Sequence, residues 1–331
     1  MNKMPRVVII GGGTGTYVAL MGLKKYPLRL TAIVTMSDSG GSSGKLRDEL
    51  GVLPPGDLRQ CLVALAESSK LLRELFNYRF EEGGLKGHSF GNIFLSTLAK
   101  QTGSMKKAIS EVGKILRIKG NVVPSTFTKS DLCVDLEDGK SIIGETHIDV
   151  VENKEKRAKI VKAYLQPKAI INEDAKIALE KANFILVGPG DLYTSIIPSL
   201  LVKGLPTAIK NSKAKKIFVM NLMTKYGQTT RYSAKDHVKD LEKYLGKNII
   251  DYILINSKMP RKNTLSWYED FEETPVKDDL DSQKEVLIIR KNLIRDIIIP
   301  KEKSDELRRS IIRHDSDKLA IEIVNIITSL S

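Results

Sequence analysis

The chain has 331 residues, of which 41% are hydrophobic and 28% are charged, and its formal net charge is +13. These proportions are those of an ordinary globular protein, and they exclude a disordered or fibrous chain. No apolar run approaches the roughly 18 to 20 residues that span a bilayer, and the two cysteines, Cys61 and Cys133, form no CxxC pair that would indicate a zinc site.

A strand, a glycine loop and a helix open the chain. Residues 6–10 form an apolar run, residues 11–15 read GGGTG, and residues 17–25 have helical character. Because the strand and the loop begin so early, we expect no secretory signal and a cytoplasmic protein. A second apolar run over residues 28–34 leads into a loop rich in serine and glycine over residues 37–44, which completes a β-α-β unit.

The middle of the chain changes from helical to β-like patterns. Helical periodicity dominates residues 57–77 and 92–116, and the sequence GHSFG at residues 87–91 separates the two helices. Short β-like pieces follow over residues 119–166, with a hairpin turn predicted at Asp138-Gly139. We interpret residues 119–166 as a β-rich insertion within one domain that comprises the whole chain.

Alternating strands and helices resume after the insertion. A helix over residues 173–182 precedes a continuous apolar strand over residues 184–187, which ends in Gly188-Pro189-Gly190 and a further helix. Later strands are predicted over residues 217–220, 250–255 and 285–289, and a closing helix over residues 315–327. The pattern predicts an α/β fold with a Rossmann-like, doubly wound and mostly parallel sheet.

The first glycine loop fits an anion site, because free backbone N–H groups at a helix start bind negative charge without a charged side chain. It is a poor dinucleotide fingerprint, since Thr16 stands where a third glycine is expected. A nicotinamide-dependent dehydrogenase is therefore disfavoured. The structural alternative is that the glycines only make a tight turn.

Two acidic residues follow the first strands. Asp38 lies among serines, where it can bind a metal, a ribose or a ring amide, or simply form a turn through its own side chain. Asp57 follows Pro54-Pro55-Gly56 and is interpreted as a helix N-cap in preference to a catalytic group.

Three further loops carry polar residues at strand or helix ends. His88 lies at a loop-to-helix junction, where a ligand contact or general base and a structural hydrogen bond are equally plausible. Asp191 follows the Gly188-Pro189-Gly190 loop and competes with a phosphate for the same N–H groups, so this loop is suited to a base, a ribose or a sugar. Asn221 follows a fourth strand.

Together these loops give the candidate ligand-binding residues, while no nucleophile, base and orienting group can be assigned as a catalytic set. Asp38 is the one candidate for a metal. The candidates are Gly11, Gly12, Gly13, Thr14, Gly15, Ser37, Asp38, Ser42, Ser43, His88, Asn92, Gly188, Pro189, Gly190, Tyr193, Thr194 and Asn221.

Seven sequence blocks resemble one family. They are, in order, GGGTG, SDSGGSSGKLR, LPPGDLRQCLVAL, GHSFGNIFLSTL, GPGDLYTSIIPSLLV, NLMT and RHD, between residues 7 and 320. The chain resembles the CofD-like family, and within it the gluconeogenesis factor (YvcK-like) branch. The resemblance implies a Rossmann-like core that binds a nucleotide or UDP-sugar, and a role in growth and cell shape on gluconeogenic carbon sources. The CofD enzymes themselves imply magnesium-dependent transfer of a phospholactyl group.

This sequence departs from the family pattern at three places. Ser39 stands where the branch usually has a second aspartate, which weakens the expectation of a metal. Asp191 stands where serine is usual, and residues 225–229 differ from the family's common Pro-Gly-Glu-Thr, so contacts of that stretch are not carried over.

Three hypotheses follow. The preferred one is a ligand-sensing factor for a UDP-sugar or other nucleotide-like molecule, which requires no cofactor. The second is a CofD-like transferase that uses magnesium, and a nicotinamide-dependent oxidoreductase is the third. The basic residues are scattered without a nucleic-acid-binding motif, so no nucleic acid partner is expected, and a homo-oligomer is compatible with the sequence.

Overall fold

The computed structural model describes residues 4–151, 157–281, 285–295 and 310–330. Within them, seven strands form one parallel sheet, in the order of residues 287–291, 252–256, 215–219, 184–187, 6–11, 29–34 and 121–124. Three strands form a second, antiparallel sheet, in the order of residues 141–143, 131–136 and 160–166. The predicted Rossmann-like, doubly wound α/β fold is confirmed.

The strands are β1 (Arg6–Gly11), β2 (Arg29–Val34), β3 (Asn121–Pro124), β4 (Asp131–Leu136), β5 (Ser141–Ile143), β6 (Ile160–Gln166), β7 (Phe184–Val187), β8 (Lys215–Val219), β9 (Tyr252–Asn256) and β10 (Leu287–Lys291). The helices are α1 (Gly13–Leu23), α2 (Gly41–Leu50), α3 (Gly56–Leu65), α4 (Lys70–Asn77), α5 (Phe90–Thr102), α6 (Met105–Leu116), α7 (Glu145–Asp149), α8 (Glu173–Glu180), α9 (Ile197–Leu200), α10 (Leu205–Asn211), α11 (Ala234–Leu245), α12 (Lys262–Glu269) and α13 (Ser316–Ser329). A 3₁₀ turn covers Gly83–Leu85, and a π-helical turn covers Leu192–Ile196.

Helices cover both faces of the seven-stranded sheet. Successive side chains of each strand point to opposite faces, so each strand contributes to both cores. In β1, Val7 and Ile9 pack with helices α1, α3, α6 and α13, whereas Val8 and Ile10 pack with α8 to α11. This explains why the parallel strands read as continuous apolar runs.

The three-stranded sheet shares the second of these cores. Leu132 and Val134 of β4 and Ala163 of β6 are buried together with Val8 and Ile10 of β1. The predicted Asp138-Gly139 turn joins β4 to β5, with Gly139 at a φ of +85°. The structure differs from the predicted boundary at residue 119, since β3 lies in the main sheet beside β2 and the small sheet begins at Asp131.

Two predicted helices are each divided in the structure. Residues 57–77 form α3 and α4, and Ser69 caps the second of them through its side chain. Residues 92–116 form α5 and α6, which separate at Gly103, a residue with a φ of +64°. Residues 41–44, predicted as loop, are the first turn of α2.

Helix α1 is held by two close backbone approaches. A Cβ atom at Gly22 would lie 1.9 Å from the carbonyl oxygen of Ser316, and one at Gly15 would lie 2.3 Å from that of Pro189. Only glycine permits these approaches, which fix the start of α1 against the loop after β7. In the described ranges, every helix is too short or too polar to cross a membrane.

Candidate ligand-binding site

The candidate site lies where the strand order reverses. Strand β1 pairs with β2 on one side and with β7 on the other. Beyond these neighbours, β3 follows β2 at one edge, and β8 to β10 follow β7 towards the other. In doubly wound sheets, ligands bind in the crevice beyond the carboxyl ends of the strands at this switch point. A cavity of about 210 Å³ occupies this position, and the loops after β1, β2, β7 and β8 all contribute to its wall.

Three helices begin at this cavity without a side-chain cap. Helices α1, α2 and α3 follow Gly12, Gly40 and Pro55, and none of these N-cap residues makes a side-chain cap to the first N–H groups of its helix. Outside the cavity wall, α9, α10 and α12 also lack a side-chain cap, whereas α4, α6, α8, α11 and α13 are each capped by a serine, asparagine or aspartate side chain. The cavity thus collects N–H donors and the positive ends of three helix dipoles, which suits an anion.

A buried hydrogen-bond network holds the start of α2 against α5. Ser42 Oγ accepts bonds from Asn92 Nδ2 and from the Ser89 N–H, both at 3.2 Å. His88 Nδ1 also lies 3.2 Å from Ser42 Oγ, which makes it the acceptor for the serine hydroxyl. Arg59 Nε donates to Asn92 Oδ1 at 2.9 Å. The network therefore positions Ser42, which lines the cavity.

Most of the predicted residues come together at the cavity, but five do not line it. Ser37 is buried and bonded to Thr35 at 3.1 Å, and the Tyr193 hydroxyl donates to Asp240 Oδ2 at 2.6 Å. His88 lies behind Ser42 and does not face the cavity. Gly11 and Gly188 also lie outside the wall. The residues that line it are Gly12, Gly13, Thr14, Gly15, Asp38, Ser42, Ser43, Asn92, Pro189, Gly190, Thr194 and Asn221.

Asp38 forms the predicted turn contact and lines the cavity. Its Oδ1 accepts a hydrogen bond from the Gly40 N–H at 3.0 Å, which is the turn-forming contact. The residue also lines the cavity, and its Oδ2 lies 2.5 Å from where a Cβ atom at Gly56 would be. The carboxylate therefore rests against the start of α3.

The interpretation of Asp57 as an N-cap is wrong. The N-cap of α3 is Pro55, and Asp57 lies within the first turn, where its carboxylate faces the glycine loop after β1. Two prolines before Gly56 start the helix earlier than the cap pattern indicates, because proline suits the first positions of a helix. Asp57 lines the cavity.

Two acidic residues of helix α7 were not predicted as site residues from the sequence. Glu145 and Asp149 belong to α7, which follows β5, and both line the cavity. Burial, and then the neighbouring carboxylates of Asp38, Asp149 and Asp57, raise the pKa of Glu145 well above its usual value. No local pattern in the sequence places α7 over the main sheet, so these residues were not found.

Ser39 connects α7 to the loop after β2. Its Oγ accepts the Thr146 N–H at 3.0 Å and lies 3.1 Å from Thr146 Oγ1. The residue that stands at the family's second aspartate therefore fixes the insertion in place and does not line the cavity.

The side of the cavity near β8 combines apolar and polar side chains, and two of its polar atoms lack partners among the described residues. Leu222, Met223 and Ile312 line it together with Asn221 and His314. Asn221 Nδ2 donates to the Gly190 carbonyl at 2.8 Å, but its Oδ1 and the Nε2 of His314 have no partner among the described residues. Burial lowers the pKa of His314 to about 4, so the imidazole is neutral.

Comparisons with known proteins agree with this architecture. A family model described as 2-phospho-L-lactate transferase CofD matches residues 7–294. The chain belongs to the CofD family. The gluconeogenesis factor of Bacillus subtilis is 38% identical over 328 residues, covering 99% of each chain. The gluconeogenesis factor of Halalkalibacterium halodurans is 44% identical over 257 residues, covering 77% of this chain and 79% of its own.

A solved structure also matches closely. The crystal structure of a UPF0052-family protein from Bacillus halodurans has a TM-score of 0.87 at 37% identity, and the match covers 98% of this chain and all of the other. The predicted resemblance to the CofD-like family and its gluconeogenesis factor branch is confirmed.

The CofD enzymes imply magnesium, a cation that binds to grouped oxygen donors. Three further carboxylates, those of Asp57, Glu145 and Asp149, line the cavity with Asp38, the metal candidate from the sequence. Nevertheless, in the described ranges no three His, Cys, Asp or Glu side chains are grouped closely enough to hold a metal ion. The side chains as arranged do not fit a metal.

Proposed function

We propose that this CofD-family chain is a ligand-sensing gluconeogenesis factor that binds a UDP-sugar or closely related nucleotide and leaves it chemically intact. The observation that carries the proposal is the convergence of three helix starts without side-chain caps on one cavity. Such N–H groups bind the oxygens of a phosphate or diphosphate.

The β8 side of the cavity suits the base of a nucleotide. A planar base packs on apolar side chains such as Leu222, Met223 and Ile312, while its ring N–H needs a buried acceptor. Asn221 Oδ1 is such an acceptor without a partner among the described residues. The diphosphate would then lie towards the glycine loop after β1, and the sugar towards Asp191 and Thr194.

Relatives named gluconeogenesis factor support a role in gluconeogenic metabolism. We extend this proposal to growth on gluconeogenic carbon sources and to cell shape, with the protein acting in the cytoplasm. In this role, occupancy of the cavity reports the supply of the sugar nucleotide. Ordering of the loops around the ligand is the physical signal.

Thermal denaturation with UDP-glucose, UDP and glucose tests the proposal. A ligand that binds only the folded state at about a hundredfold excess over its Kd stabilises the protein by about 2.7 kcal/mol. We expect UDP-glucose and UDP to raise the Tm and glucose alone to leave it unchanged. A rise with a nicotinamide dinucleotide or a deazaflavin, and none with uridine nucleotides, would contradict the proposal.

A CofD-like transferase is the second candidate, and the carboxylates of Asp38, Asp57 and Glu145 along the cavity favour it. Mass spectrometry of UDP-glucose recovered after prolonged incubation separates the two. Intact ligand supports sensing. Conversion in proportion to protein, lost in Asp38→Asn, supports an enzyme.

A further inference from the structure

A second concave surface lies along the free edge of the main sheet, away from the candidate site. Strand β3 is the last strand on its side of the sheet, with α6 on one face and α8 on the other. These elements enclose a groove of about 810 Å³, which also reaches the first residues of β1 and β2. We call this surface the β3 groove.

The backbone of β3 presents hydrogen-bonding groups to this groove. The Ser125 N–H donates to the Val34 carbonyl at 2.8 Å, so the odd-numbered residues of this strand face β2. Because alternate residues of a parallel strand point their backbone groups to opposite sides, the N–H and C=O of Val122 face the groove. The Pro124 carbonyl already accepts Asn172 Nδ2 at 3.1 Å, which ends the open stretch.

The groove is basic. Its lining contains six cationic residues and one acidic residue, Asp174, which pairs with Lys106 at 2.6 Å between α8 and α6. Lys114 pairs with Glu111 at 2.7 Å within α6. The remaining four cations have no ion pair with a described carboxylate, and they are Arg6, Arg29, Arg117 and Lys181.

Apolar side chains accompany these charges. Phe127 and Ile177 line the groove with 42% and 37% of their surface exposed, next to the buried Val122. An exposed strand edge, apolar contacts and cations in one groove match an extended peptide with alternating apolar and acidic residues. A nucleic acid would not use the strand edge, and a second copy of this chain would bring like charges together.

We propose that the β3 groove binds an acidic, extended segment of a partner protein, which adds a strand beside Val122. The apolar side chains of that segment pack on Phe127 and Ile177, and its carboxylates pair with Arg29 and Arg117. Short, charged edge strands also prevent aggregation between sheets, and a groove with that role alone would bind no peptide.

Fluorescence anisotropy with a labelled peptide of about eight alternating glutamate and valine residues tests the proposal. We expect binding that weakens with salt, and a loss of at least about tenfold in affinity for the double variant Arg29→Glu, Arg117→Glu. The matched control is Lys210→Glu, Lys247→Glu, which makes the same change of net charge at exposed positions outside the groove. The control should stay within about twofold of the parent protein.

A second peptide, N-methylated at alternate amides, has the same charge but does not form backbone hydrogen bonds on one edge. Weaker binding of this peptide supports strand addition. Equal affinity for both peptides, equal loss in both double variants, or no binding of the first peptide would overturn the proposal. Displacement of the peptide by a uridine oligonucleotide that binds more tightly would identify a nucleic acid groove instead.

Discussion

A Cβ atom added to Gly12 would lie 2.2 Å from Oδ2 of Asp57, so the carboxylate of α3 fills the space beside the glycine loop. The backbone of Gly12 has a φ of −158°, which any residue adopts. Contact with Asp57 and Thr35 is therefore the reason for glycine at this position.

Gly12→Ala should lower the free energy of unfolding by about 1–3 kcal/mol, because overpacking in a tight site displaces its neighbours. Gly84→Ala is the matched control, since a Cβ atom there would have no neighbour within 4 Å. Chemical denaturation of the two variants gives the comparison. If the Gly12→Ala and Gly84→Ala variants were equally stable, the close contact between Gly12 and Asp57 would be contradicted.

Gly13→Asp should abolish UDP-glucose binding while the protein remains folded. A Cβ atom at Gly13 has no neighbour closer than 3.9 Å, and its φ of +60° is one that Asp and Asn tolerate better than other residues. Gly13→Asn has nearly the same shape without the charge and should retain more affinity. Calorimetry in which the folded Asp variant binds as tightly as the parent protein would place the phosphates elsewhere.

UDP-glucose binding should be unchanged, within about twofold, when EDTA replaces magnesium in the buffer. The reason is that the described carboxylates do not form a group that holds a metal ion. Calorimetry with and without the chelator measures this. A loss of most affinity that magnesium restores would favour the transferase.

Glu145→Gln should stabilise the protein most at alkaline pH. Folding raises the pKa of Glu145, so its contribution is favourable below the unfolded value of about 4.3 and declines as the pH rises through the folded value. At a pH above both pKa values, each tenfold decrease in the acid dissociation constant of Glu145 on folding lowers the free energy of unfolding by about 1.4 kcal/mol. Melting curves from pH 4 to 8 should show the variant gaining on the parent protein as the pH rises, whereas the exposed Glu180→Gln should show no such trend. A constant difference would exclude the burial of a charge.

His88→Ala should lower the Tm of the ligand-free protein and leave most of the UDP-glucose shift intact. His88 bonds Ser42 and does not line the cavity, so its loss weakens the network behind the site. His147→Ala, at an exposed histidine, is the control for loss of a ring. If the ligand shift disappears while the free protein melts normally, His88 contacts the ligand directly.

The fold and one half of the site were predictable from the sequence because both depend on local patterns. Apolar runs that end in glycine mark parallel strands and their loops, and parallel strands bring those loops to one edge. Gly13, Asp38 and Gly190 accordingly line one cavity, and their contact with a ligand stays a prediction.

The other half depends on packing between distant segments. Glu145 reaches the cavity because Ser39 and Thr146 join α7 to the main sheet across more than a hundred residues. Tyr193 illustrates the opposite case, since its place after a glycine loop indicates a ligand contact, yet its hydroxyl bonds Asp240 in the core. The position of a residue in the sequence does not by itself determine which way its side chain points from a helical turn.

The cavity wall formed by α7 is less constrained by close contacts than the glycine loops are. A side chain at Gly12 or Gly15 would meet carboxylate or backbone atoms, so the glycine-loop side of the cavity cannot change its shape without repacking of the core. Helix α7 follows a hairpin strand that pairs with no strand of the seven-stranded sheet, and it meets the loop after β2 through a few side chains. Substitutions in the hairpin can therefore change the shape of the cavity wall at α7 without disturbing the glycine loops of the main sheet.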